Sequence, residues 1–339
     1  MYRTQFAGML MIVILLAFDL AIVGSQGQVT STPAPSKTPT SEPETEAPFA
    51  ETTDQAAIEP WTQADLSILT GNVQRPNGLA WFNNNLYTAC TGDSTVYELD
   101  DKTGATRTFI YGVRNAHTLH AEQSANGEVT LWIPDFQANR LLRIDRNGVE
   151  TIATDLNGPW GMEYLDENEF LITNLQNNDV VVVNRNGEVR EILTGLRSPT
   201  GIVADDSSIY VANTGSARRA IEWVSKSDVL DSGEAAAVEP QPLVSGLQNT
   251  TGMVLAEDGF LYFAYSLGTR GVVGRVDPAQ CQSSGGCSND QVEIVLYTEL
   301  AAPLAGLAIS PDMRLFVHTI FSPDIYWVQL DDMQTDVGD

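Results

Sequence analysis

Lysine and histidine are scarce in this 339-residue chain: the only lysines are Lys37, Lys102 and Lys226, and the only histidines His117, His120 and His318. With 44 acidic side chains against 18 basic ones, the net charge is −26. Such a chain repels nucleic acid and anionic lipid, because binding either relies on Lys and Arg to displace counterions. The acidity itself reads as a solubility device, with bound calcium as the alternative. Three cysteines are too few for a disulfide framework. Cys281 and Cys287 bracket a short Gly-Ser loop and are expected to close it as a local disulfide in an oxidising compartment. Cys90, at the end of an apolar run, is expected to be buried rather than nucleophilic. No Gly-x-Ser-x-Gly elbow, phosphate-cradling Gly-x-x-x-x-Gly-Lys or Cys-x-x-Cys pair occurs, so nucleophile-elbow hydrolase, P-loop and dithiol chemistry find no support.

What is present begins with a leader. Residues 6–23 are apolar except for Asp19, with Arg3 before them and Gly24-Ser25 after. That pattern predicts an export signal over 1–25, cut near Ser25. An uncleaved anchor is the alternative, although it would hold Asp19 in the bilayer at a cost of a few kcal/mol. Residues 26–60 are rich in Ser, Thr, Pro and Glu and too poor in large apolar residues to offset ordering entropy, so a disordered spacer is expected. The protein is therefore expected outside the cytoplasm, secreted or tethered, touching membrane only through its first segment.

From residue 61 to 339 a repeat takes over. Six inner-strand entries align: Arg75-Pro76-Asn77-Gly78-Leu79-Ala80, Asn115-Ala116-His117-Thr118-Leu119, Gly158-Pro159-Trp160-Gly161-Met162, Ser198-Pro199-Thr200-Gly201-Ile202, Asn249-Thr250-Thr251-Gly252-Met253 and Ala302-Pro303-Leu304-Ala305-Gly306-Leu307. Only the second has lost its glycine, to Thr118. Each entry leads to further strands, and the spacing of roughly 40 to 54 residues suits four-stranded blades. An all-β, six-bladed β-propeller follows. The sixth unit lacks a fourth strand, while an orphan apolar strand at 66–69 precedes the first unit. Pairing the two closes the ring and removes exposed sheet edges. Arg146-Asn147-Gly148 and Arg185-Asn186-Gly187 predict tight hairpins with both Asn and Gly at positive φ. A monomer is expected.

In a propeller the inner strands line a central channel, which is the default site. The residues preceding each glycine position form the ring Asn77, His117, Trp160, Thr200, Thr251 and Ala305. A second ring at the ends of the second strands includes Asp135, Asn174 and Asn213. These polar members and Trp160 are the candidate ligand contacts. His117 and His120 are three apart on a strand and so face opposite ways, leaving His117 alone in the ring. His318 is expected as a packed, hydrogen-bonded core residue. Trp81, Trp132, Trp223 and Trp327 recur at blade positions and read as packing between blades.

Arg75-Pro76-Asn77-Gly78-Leu79-Ala80-Trp81, followed by Leu86-Tyr87, resembles an inner-strand motif of the SMP-30/gluconolactonase/LRE-like family, six-bladed propellers that hydrolyse lactones with one divalent metal. The stretch from Asp135 through Asn139-Arg140 to Asp145 is similar to the NHL repeat, and Pro159-Trp160-Gly161 resembles soluble quinoprotein sugar dehydrogenases. The lactonase resemblance implies a metal (Ca, Mn or Zn) held by Glu, Asn and Asp from the first ring, with the Asp as base. Asn77 matches one Asn position, with His117 as a second potential ligand, but neither carboxylate is in place. The leading expectation is a binding scaffold for a small molecule or an extracellular protein. The alternatives are a metal-dependent lactone or ester hydrolase and a quinone-dependent sugar oxidoreductase.

Overall fold

The computed structural model describes residues 59–231 and 238–330. The leader and nearly all of the spacer lie outside the described residues. Six sheets form, one per repeat. Blade one comprises Pro76–Phe82, Asn85–Cys90, Thr95–Asp100 and Thr106–Tyr111, each antiparallel to the next. Blades two to five repeat this order from inner strands His120–Gln123, Pro159–Tyr164, Pro199–Ala204 and Met253–Leu255. Blade six has Ala308–Ile309, Arg314–His318 and Ile325–Gln329.

The expected closure is present. Ser67–Thr70 pairs antiparallel with Ile325–Gln329, setting Ser67 opposite Trp327 and Ile68 opposite Tyr326. Two additions go beyond the sequence reading. Trp61–Thr62 runs parallel to the outer strand of blade five, with Trp61 opposite Leu296. The expected Cys281–Cys287 bond is present (S–S 2.05 Å), and the addition is that the loop it closes delivers Cys287–Ser288 onto the outer edge of blade four, Val244 opposite Cys287. Gln282 Nε2 from the same loop donates to Tyr210 Oη and Ser208 Oγ of blade four, each at 3.1 Å.

Both faces of every blade are covered, so middle strands such as Val129–Asp135 and Glu169–Asn174 are nearly unbroken buried runs rather than alternating ones. Six apolar clusters result, one at each seam between neighbouring blades. Trp132 lies within the two–three cluster, while Trp81 and Trp327 border the six–one cluster and Trp223 the four–five cluster. Arginines tie adjacent blades at their rims. Arg185 of blade three forks onto Glu122 of blade two at 2.6 and 2.7 Å and lies over Trp132. Arg146 of blade two reaches Glu98 of blade one, and Arg314 of blade six reaches Asp101 of blade one at 2.7 Å.

The two hairpins differ from the expectation. Residues 146 and 147 form the first turn, because Asp145 Oδ1 accepts the N–H groups of Asn147 and Gly148 at 2.7 and 3.1 Å. In the second, Gly187 alone takes a positive φ, of 89°. Neither Asn147 nor Asn186 is left-handed. A local carboxylate or amide acceptor at the start of the turn thus sets its shape, as Asx turns do.

Candidate functional site

Five glycines position the inner strands around the axis. A Cβ on Gly161 would stand 2.1 Å from Thr200 O, and one on Gly201 2.4 Å from Thr251 O, so each glycine lets its strand press against the backbone of the next blade. Gly78, Gly252 and Gly306 make the same approach at 2.8 to 3.0 Å. Blade two has Thr118 there and starts its inner strand at His120, and blades five and six likewise start theirs past the glycine, at Met253 and Ala308.

The inner strands enclose a channel of about 270 Å³. Asn77, His117, Trp160, Thr251 and Ala305 line its mouth, so five of the six residues expected in the first ring come together. Thr200 does not join them. It is fully buried and its hydroxyl donates to Thr250 O at 2.8 Å. Beyond the glycines, Leu79, Leu119, Met162, Ile202, Met253 and Leu307 form an aliphatic collar with one member from every blade.

Aromatic rings build one wall of the mouth. His117 stacks on Trp160 with centroids 3.3 Å apart and planes 7° from parallel, and Phe136 meets both edge-on. Burial pushes the His117 imidazole down to a pKa of about 3, so it is neutral at ordinary pH. Asn77 is buried and its Nδ2 donates to Asn115 Oδ1 at 2.7 Å, whereas its Oδ1 has no partner. Among the described residues that line the mouth, no side chain carries charge.

The second ring has a different place. Asp135, Asn174 and Asn213 are buried and absent from the channel wall. Asn174 Oδ1 accepts from Asn157 N at 3.0 Å, and Asn213 Oδ1 from Arg197 N at 2.9 Å, each latching the loop that leads into its blade's inner strand. Asp135 pairs with Arg140 at 3.2 Å and accepts from Ala138 N. The Asn139 of the NHL-like stretch is also a latch. With φ 54° its Oδ1 accepts from Gly158 N of the next blade at 2.9 Å, and Asn178 repeats the device on Ser198 N at 2.7 Å.

A divalent metal at the mouth finds a poor donor set. The orphan Asn77 oxygen supplies one neutral ligand and His117 is stacked against indole, while a hard cation needs six or more oxygens. Among the described residues, no three His, Cys, Asp or Glu side chains are placed to hold a metal ion. The Asn77–His117 pair therefore does not fit the metal that the lactonase resemblance implies. Cys90 is buried and free, and burial pushes its thiol up to about 12, which silences it as a nucleophile.

Sequence reasoning missed Glu163, which lines the channel past the collar. Its column in the aligned repeats reads Ala80, His120, Glu163, Val203, Val254 and Ala308. A lone carboxyl in a mostly apolar column was the available signal. Burial pushes its pKa up to about 8, only weakly opposed by Lys226.

His318 is packed as expected, but neither ring nitrogen makes a hydrogen bond of ordinary geometry. Burial lowers its pKa to about 4, and nearby backbone at Thr319, Asn77 and Pro76 offsets this only in part. The unfolded chain takes up this proton below its ordinary value of 6.5, and the folded chain only below about 4. Stability therefore falls as pH drops through that window, by about 3 kcal/mol for this one group. His318→Leu is expected to flatten the decline of melting temperature between those two values. An unchanged decline would show that His318 is not held neutral by burial.

No family model matches the chain, and no curated protein matches it. Solved structures do. A gluconolactonase from Xanthomonas campestris superposes with TM-score 0.59 at 14% identity, covering 78% of this chain and 89% of that one. Regucalcin from Agrobacterium tumefaciens, a calcium-binding protein, gives 0.58 at 14%, over 80% and 95%. A streptogramin B lyase gives 0.55 at 15%, over 77% and 96%. The chain has the fold of the gluconolactonase-like six-bladed propellers. At these identities the likeness concerns the fold, and function rests on the site.

Proposed function

We propose that this protein is an exported, surface-tethered or secreted propeller whose channel mouth binds a small uncharged molecule bearing a flat or apolar ring face and an N–H or O–H donor. The observation that carries this reading is Asn77 Oδ1, unpartnered among the described residues, at a mouth walled by the His117–Trp160 stack. A buried acceptor without a donor costs roughly 1 to 3 kcal/mol, a cost that a ligand's donor removes. Aromatic walls with one or two directed polar groups are the usual make-up of small-molecule sites. Export is supported by the apolar leader and by the Cys281–Cys287 bond, which suits an oxidising compartment.

The competing reading is a metal-dependent lactone hydrolase, favoured by the gluconolactonase among the structural neighbours. Its difficulty is that, among the described residues, no carboxylate stands at the mouth to act as ligand or base. A panel of neutral sugars, lactones and aromatic alcohols, followed through tryptophan fluorescence, separates the two. Asn77→Ala is expected to weaken the best ligand by about ten- to a hundredfold, as loss of a buried hydrogen bond does. Melting temperature should change little. Lactone turnover that requires Ca²⁺, Mn²⁺ or Zn²⁺ and disappears in Asn77→Ala would replace the binding reading with the hydrolase.

A further inference from the structure

Glu163 occupies a position that the other blades fill differently. Two residues past the glycine position, Ala80, Val203, Val254 and Ala308 pack into the seam with the next blade. Glu163 holds the same place in blade three, opposite Leu171 in the sheet register and facing the seam built by Ile202 and Val211. Its side chain is half-buried and lines the channel lumen. Among the described residues it makes no hydrogen bond and no ion pair. The nearby cation, Lys226, donates its Nζ to Asp205 O at 2.9 Å instead.

The walls around this carboxyl are aromatic and aliphatic. Trp81, His120, Tyr164 and Ile309 line the same end of the channel, with His120 stacked on Tyr164 at 5.2 Å and 10°. The collar and roughly 10 Å of strand separate this end from Asn77. The titratable groups around Glu163 are His120 from blade two, Tyr164 from its own strand and Lys226 from blade four. Burial holds His120 below its usual range, opposed by the Glu122 carboxylate beside it.

We propose that the end of the channel opposite Asn77 is a second site, which takes a small organic ammonium ion with Glu163 as its counter-charge. A metal ion would find one carboxyl and too few other oxygens. An alkylammonium needs only one anionic partner, and its stem and charge are both accommodated by aromatic faces. The acidic chain draws cations toward the opening. When the site is empty the carboxyl carries a proton. Binding of RNH₃⁺ leaves the carboxylate paired with the ammonium and releases that proton to solvent. The site is independent of the ligand at the mouth.

The probe is n-propylammonium chloride, titrated calorimetrically into the full chain in two buffers of different protonation enthalpy. Saturable binding is expected with release of about one proton, tightening about tenfold per pH unit from pH 5.5 to 7.5. Glu163→Gln should abolish both, while Asn77→Ala should leave both intact. A melting curve of Glu163→Gln near pH 5 that matches the parent shows that the variant is folded. Absence of saturable binding, binding without proton release, or binding that survives Glu163→Gln overturns the proposal. So does an equal response to potassium chloride.

Discussion

Glu163→Gln should raise the melting temperature near pH 8 by several degrees and leave it almost unchanged near pH 4.5. In the folded chain the carboxyl titrates at about 8, against 4.5 ordinarily, because burial disfavours its charged form. Between those values the folded protein holds a proton that the unfolded chain has lost, so stability declines as pH rises through the window. At neutral pH this costs about 3 kcal/mol. Glutamine matches the shape of the protonated acid and cannot ionise, so the variant escapes the decline. For a domain of this size each kcal/mol shifts the midpoint by about 2 to 4 °C. The measurement is the difference between variant and parent across pH. A constant difference would mean that Glu163 is ionised and solvated in the native state.

Gly161→Ala is expected to cost more than about 3 kcal/mol, near the upper end for overpacking. The new methyl would stand 2.1 Å from Thr200 O and 3.0 Å from Thr173 Oγ1. That hydroxyl accepts from Gly161 N and donates to Thr200 O, each at 2.7 Å. Neither neighbour can yield: one is backbone, and the other links blades three and four. Gly148→Ala is the control, because nothing lies within 4 Å of its would-be Cβ, and it should stay within about 0.5 kcal/mol. Denaturant unfolding of both variants decides the matter. A Gly161→Ala protein as stable as the control would remove the close approach as the reason for the repeat's glycines.

The ring and its blade count were legible because six entries align, five of them with a glycine, each followed by a buried middle strand, and the closing strand because the sixth unit lacked a partner that 66–69 could supply. Although Thr200 turns away to the backbone of the next blade, five of the six residues placed at the mouth were legible too, since residues at one register of the blade entries converge on the axis. Asp135, Asn174 and Asn213 were not, because position along a strand says nothing about which backbone donors stand nearby. In the folded chain the donors to Asn174 and Asn213 belong to the loops entering the inner strands, that to Asp135 belongs to the turn after its own strand, and the side chains turn to them. Glu163 escaped notice for a related reason. A polar residue late in an inner strand reads as solvent-facing until the neighbouring blade is seen to cover it. The irregular entry of blade two at 113–119, shared in kind by blades five and six although they keep their glycines, was not visible; it lies next to the one seam where His117 and Trp160 stack.

Blade six takes three strands from the end of the described chain and its fourth, Ser67–Thr70, from the beginning. During synthesis that first segment must therefore wait, unpaired and partly apolar, while some 250 residues follow it from the ribosome. Early blades are free to form in order, but the circle locks only when its oldest and youngest parts meet. A ribosome stalled before Ile325 would leave an open arc with two bare sheet edges, the form most prone to joining a second copy of itself.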